Sequence, residues 1–306
     1  YNPQLRTIVA YHNDSDNIPP ARSNGVTSVA VFPLGGILGG QIPVMNLDGW
    51  TWEESALEPL AGIAFQFPSI PGRFRFSFAP SGEPEKTYED LKKERDTKLD
   101  RLAALLDQVR SYMVIPEDKR QTDWVLQSLI PVVTQRIPLF VTAGGEQEIK
   151  DAVAFSEKVR VKIVLCSGPE AALTASLLKE KKIPVILESV KSLPTREDMF
   201  HAASYMAAGE LFRAGVRFAF AADDDTNVRL LPYQAAQSVA WGLPREEALR
   251  ALTLQAAEIL GIADRVGSLE PGKMANLLIA KGDPLDVRTE ITHVIIRGNP
   301  VDLGNR

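Results

Sequence analysis

From about residue 136 onward, short continuous apolar runs alternate with stretches of helical period. The runs cover residues 137–142, 161–166, 183–187 and 216–222, and they are rich in Val, Ile and Phe. A run that is apolar without alternation suits a strand buried on both faces. Between the runs, residues 148–158, 169–182 and 201–214 place apolar side chains at helical spacing. Repeated strand–helix units of this length predict a parallel sheet with right-handed crossovers.

The first half is less regular. Residues 25–32 and 62–67 read as two further buried strands, and 41–47 as a candidate third. The longest helix is expected ahead of residue 136, where Leu91, Leu99, Leu102, Leu105, Leu106, Val109 and Met113 recur at steps of mostly three and four. Its charged run KKERDTK reads as a solvated face. Two helices follow residue 222, the second with Pro244 at its first position, Glu246 and Glu247 in its first turn, and Gly261 past its end. The period then changes, and residues 275–280 and 293–297 read as short strands of a small β appendage. These strands are short of partners, which predicts an exposed apolar edge and, through it, a homodimer. Six or seven barrel-like strands are visible where a closed (β/α)8 barrel needs eight. The missing one is expected upstream of Tyr1, in a longer polypeptide.

Composition narrows the function. The chain has 306 residues, 45% hydrophobic and 24% charged, with a net charge of −5, which is ordinary for a globular protein. Lys plus Arg number 34 against 39 acids and no run of like charge dominates, so a nucleic-acid partner is not expected. No stretch approaches the roughly 20 apolar residues of a spanning helix, so a membrane partner is not expected either. The single Cys166 excludes an internal disulfide and a zinc site built from cysteines. The three histidines, His12, His201 and His293, stand far apart and form no H-x-H or H-x-x-x-H pair. A zinc hydrolase usually draws two or three ligands from His.

In a parallel barrel, chemistry sits at the carboxyl ends of the strands. Those ends carry Gln66, Thr142 followed by Gly144 and Gly145, Cys166–Ser167–Gly168, Glu188–Ser189, and Asp223–Asp224–Asp225. Asp223, first after its buried run, is the best-placed base for an attacking water, or a metal ligand. The competing reading is an acidic loop that caps the next helix. Gln41, Gln66, Thr142, Ser167 and Glu188 are the candidates for substrate binding. Glu188 has the competing use of a salt bridge, and His201 that of a surface cap. Cys166 has no histidine near it in sequence and reads as a packed thiol. The pairs Gly35–Gly36 and Gly39–Gly40 suit either an anion cradle or tight turns.

The segment GLPREEALRALTLQAAEILGIADRVGSLEPGKMANLLIAKGDPLD, residues 242–286, resembles the C-terminal signature of the amidohydrolase superfamily, in its imidazolonepropionase-like branch. GVTSVAVFP near the N-terminus fits the same family. The resemblance implies a (β/α)8 TIM-type barrel over residues 1–265, incomplete at its start, and part of a β-sandwich over 266–306. It also implies hydrolysis of amide or cyclic-amide C–N bonds by water activated on one or two divalent metals, zinc foremost. By the same resemblance the fifth-strand histidine falls at Thr142 and the sixth-strand one at Cys166–Ser167. Only the eighth-strand acid is kept, at Asp223, and an H-x-H pair would lie upstream of Tyr1. Met274 and Asn276 stand where members usually and often, respectively, have Asp. Three readings follow: a metal-dependent amidohydrolase of a small molecule with Asp223 as base; a metal-free barrel that binds a small molecule or partner without catalysis; and a hydrolase using Asp223 and Glu188 as an acid–base pair.

Overall fold

The computed structural model describes residues 1–70, 87–188, 190–192, 196 and 198–303; Ser189 and the last three residues lie outside it. Seven strands form one sheet in chain order: β1 (Ser28–Ala30), β2 (Leu38–Asn46), β3 (Ala56–Gln66), β4 (Leu139–Thr142), β5 (Ile163–Ser167), β6 (Val185–Leu187) and β7 (Phe218–Phe220). Strands β3 to β7 are parallel, and β2 runs against both β1 and β3. The chain is therefore α/β with a curled, mostly parallel sheet. Two expectations need correction. The strand expected at 41–47 exists but is reversed, and among the described residues no eighth strand joins β7 to β1. The reversal has a plain cause: residues 31–37 and 47–55 are too short for a crossover, which takes about a dozen residues.

Period-two alternation divides the parallel strands between two cores. Leu139, Val141, Ile163, Leu165, Val185, Leu187, Phe218 and Phe220 face the helices. The residues between them, Phe140, Val164, Cys166, Ile186 and Ala219, fill the other, concave face together with Ile42 and Ile259. Phe32 meets Phe140 edge-on, with ring centroids 5.4 Å apart. Gly62 is required here, because a side-chain carbon at that position would collide with the Phe140 ring.

Helix ends follow their capping residues. The helix Tyr88–Val114 opens with a capping box in which Thr87 Oγ1 accepts from Asp90 N–H and the Asp90 carboxylate accepts from Thr87 N–H. It buries Leu102, Leu106, Val109 and Tyr112, one stripe at helical spacing. The expected helix from Pro244 divides at Thr253 into Arg245–Leu252 and Leu254–Ile259. The Thr253 hydroxyl bonds back to Leu249 C=O at 2.7 Å, a pattern that bends helices. The second piece carries Ile259 into the concave core and Ala257 into a base cluster with Val44, Leu57 and Ala61. The stretch expected as one helix at 169–182 is a 3-10 turn, Pro169–Thr174, followed by the helix Ala175–Glu180.

The tail forms a separate antiparallel sheet of β8 (Leu277–Ala280), β9 (Ile291–Ile296) and β10 (Asn299–Pro300), ordered β10–β9–β8. Ile291, Val294 and Ile296 pack it onto Ala21 and Leu47 near the base of the large sheet. Leu278 and Ile279 on β8 stay 39% and 51% exposed. A polar knot locks this junction. Asn276 donates to Asn46 Oδ1 at 2.8 Å and to Ser28 Oγ at 3.1 Å, while its own Oδ1 accepts Arg297 N–H at 2.9 Å. Arg297 also reaches the Asp48 and Glu54 carbonyls. No helix among the described residues is long and apolar enough to cross a membrane.

Candidate active site

The same alternation that builds the concave core sets the side chains at its rim. Gln66 stands two residues beyond Ala64, Thr142 beyond Phe140, Cys166 beyond Val164, Glu188 beyond Ile186 and Asp223 beyond Ala221. Each follows a member of the concave core or a residue packed against it, so all five fall on that side. Register aligns them across strands: Gln66 pairs with Thr142, and Thr142 with Cys166. The ladder continues past the strand ends, with Glu188 N–H donating to Ser167 C=O at 3.0 Å and Ala221 N–H to Leu187 C=O at 2.8 Å. The structure thus brings Gln66, Thr142, Cys166, Glu188 and Asp223 to one mouth.

Electrostatics couple three of these groups. Glu188 is open to water on one side, yet it stands in a concavity where burial, and then the Asp223 carboxylate, push its pKa up. Cys166 is 4% exposed, and burial, then the Glu188 charge, push its thiol far up. That thiol stays protonated, which suits a packed floor and not a nucleophile.

The three acids at the end of β7 divide their work. Asp224 accepts from Asn227 N–H at 2.8 Å and from its side-chain amide at 2.9 Å. Asp225 accepts from Asn17 Nδ2 at 2.9 Å, tying the N-terminal arm to this loop. The capping reading therefore describes Asp224 and Asp225. Asp223 is left facing Glu188, and neither carboxylate has an ion-pair partner among the described residues.

Two expected site residues lie elsewhere. Ser167 follows Cys166, so it points to the helix side; it is fully buried and its hydroxyl has no hydrogen-bond partner among the described residues. Gln41 pairs with Ile63, itself level with Leu139 at the start of β4, because β2 is reversed. Its N–H donates to Leu5 C=O at 2.9 Å, well below the mouth. Gly40 abuts Leu5 as well, so Gly39–Gly40 serves close packing and not an anion cradle. His201 is exposed and stacks on Phe200, with centroids 4.3 Å apart.

Two carboxylates on the segments that follow β4 and β5 were missed in the sequence. Glu148 accepts from Gly144 and Gly145 N–H at 3.2 and 3.4 Å, and Glu170 accepts from Glu146 N–H at 2.7 Å. Together they occupy the amino end of the helix Glu146–Val159 that follows β4. The spacing of Glu148 from Gly145 is that of a capping box and was legible.

The donor set does not fit a divalent metal. Among the described residues no three His, Cys, Asp or Glu side chains gather to hold one. At the mouth stand a threonine hydroxyl, a protonated thiol and two carboxyls, whereas a catalytic zinc takes three protein ligands. All three histidines are exposed: His12 pairs with Asp14 at 2.9 Å, His201 lies on Phe200, and His293 is on the tail sheet.

A curled, mostly parallel sheet with polar side chains gathered at its carboxyl ends is the framework of a TIM-type barrel enzyme. Residues 134–301 match the amidohydrolase family, more than half of the chain, and the chain belongs to that family. An amidohydrolase from Thermotoga maritima MSB8 is 25% identical and superposes with a TM-score of 0.83 over 98% of this chain and 78% of that one. A metal-dependent hydrolase from Pyrococcus furiosus is 19% identical, with a TM-score of 0.42 over 53% of this chain and 36% of that one. An adenosine deaminase from Xanthomonas campestris with bound zinc is 17% identical, with a TM-score of 0.32 over 54% of this chain and 51% of that one. Among curated proteins, none matches.

Proposed function

We propose that this chain is a hydrolase acting on the C–N bond of a small molecule at the mouth of the curled sheet, with Asp223 as the general base. An amide or cyclic amide is the substrate that the likeness of its tail to imidazolonepropionase-like proteins favours. The observation that carries the reading is Asp223 itself: of three consecutive acids, it alone makes no side-chain hydrogen bond among the described residues, and it faces the other mouth carboxyl. Asp223 accepts a proton as the water oxygen bonds to the reacting carbon, then returns it to the leaving nitrogen as the C–N bond breaks. Thr142 and Gln66 line the same rim and offer hydrogen bonds to the substrate. No step is routed through a metal, since the residues present do not make its site.

A second reading has an observation of its own. Thr142 and Cys166, where the family resemblance places histidines, favour a barrel that binds a small molecule without turning it over. Assay of the full chain against a panel of amides, cyclic amides and amidines separates the two. Hydrolysis that is lost in Asp223→Asn supports the first reading. Saturable binding with no turnover of any panel member supports the second.

A further inference from the structure

We infer that the helical layer carries a ligand site of its own, a groove beside the helix Tyr88–Val114 that takes a small aromatic carboxylate and pairs it with Arg101. The groove shares no residue with the mouth.

Helical period builds its first wall. Arg101, Ala104, Leu105 and Gln108 recur at i, i+3, i+4 and i+7, so they form one stripe on that helix. Beside it runs the stripe of Leu102, Leu106 and Val109, which packs into the core on the helix side of the sheet. Tyr1 makes the second wall, and Val125 in the first turn of the helix Trp124–Val133 makes the third. With a residue as small as Ala104 between them, the walls leave a space of about 360 Å³. Small-molecule sites run from roughly 300 to 1,000 Å³.

The walls also define the ligand. Ala104, Leu105, Val125 and the Tyr1 ring offer apolar contact and one flat aromatic face. Tyr1 is held in place, since its hydroxyl donates to Lys98 C=O at 2.8 Å. The Arg101 guanidinium stands over that ring, 5.4 Å from its centroid. An arginine stacked on a ring keeps the N–H donors at the edge of its plane available, and a carboxylate takes two of them at once. Other cations along this helix are already paired. Arg95 meets Asp151 at 2.6 Å, Arg110 meets Asp107 at 2.7 Å, and Lys158 meets Asp100 at 3.3 Å. Asp123, just ahead of Val125, turns its carboxylate to its own helix and accepts from Val125 and Leu126 N–H at 2.9 and 3.0 Å. Arg101 meets no carboxylate among the described residues. The groove thus sets one unanswered positive charge beside an apolar slot, the complement of a planar apolar body with a single carboxylate.

The test is titration of the full chain with 2-naphthoate and with 2-naphthamide, its neutral counterpart, followed by ligand-detected NMR. Saturable binding of 2-naphthoate is expected at about 1 mM or tighter, and at least about threefold tighter than the amide. The preference disappears in Arg101→Gln and shrinks in added salt, because Arg101 is open to water. Ala104→Phe fills the groove from an exposed position, so the chain still folds while both probes lose their binding. Asp223→Asn leaves both titrations unchanged, which separates the groove from the mouth. The inference is overturned by equal binding of the two probes, by no saturation with 2-naphthoate, or by a preference that survives Arg101→Gln. Binding that persists in a folded Ala104→Phe variant, or that is lost in Asp223→Asn, overturns it as well.

Discussion

Two polar regions of this protein differ in how their side chains are satisfied. At the base, Asn46, Ser28, Asn276 and Arg297 bond to one another until the Asn46 and Asn276 side-chain amides are engaged. At the mouth, the Glu188 and Asp223 carboxylates face each other, and neither has a hydrogen-bond or ion-pair partner among the described residues. A network of part-buried polar groups aligns what it joins, here the tail sheet and the large sheet. Unpartnered charge in a concavity costs stability and is the mark of a site made for a ligand. The base is therefore structural, whereas the mouth is where the proposed chemistry sits.

Substitutions can break or sharpen that contrast. The largest effect is expected at the mouth: Asp223→Asn lowers turnover by about 10²–10⁴-fold while the urea unfolding midpoint stays near that of the unaltered chain. At the base the order reverses. Asn276→Asp removes the donor to Asn46 Oδ1 and sets a carboxylate against it, which costs about 1–3 kcal/mol in urea unfolding and leaves turnover intact. Asp224→Ala, between the two extremes, removes the acceptor for Asn227 N–H and costs about 1 kcal/mol.

The smallest effect on stability is at Glu188 and depends on pH. Its pKa is raised in the folded state, so ionisation opposes folding: its contribution is full at acid pH and declines as pH rises through the folded value. Glu188→Gln should therefore gain stability over the unaltered chain at neutral pH, and the gain should fade on acidification. Thermal unfolding at a series of pH values reads this directly.

Much of the site was legible because strand period carries direction. Thr142, Cys166, Glu188 and Asp223 each fall on one parity of a buried run, and the structure sets all four on the concave side. Ser167 breaks that parity and is buried among the helices; alternation counted back from Cys166 already says so. Gln41 was misplaced for a different reason. Its strand is part of a hairpin, and strand direction is decided by the lengths of the connections and not by apolar pattern. The division of labour among Asp223, Asp224 and Asp225 was not legible, since it depends on Asn17, distant in sequence, reaching Asp225.

The described residues at the mouth do not make a site for a metal. The most direct measurement is elemental analysis of the full chain purified without chelators, beside Asp223→Ala. The prediction is far less than one divalent ion per chain, unchanged by the substitution. About one zinc, manganese or iron per chain, lost on Asp223→Ala, would contradict it.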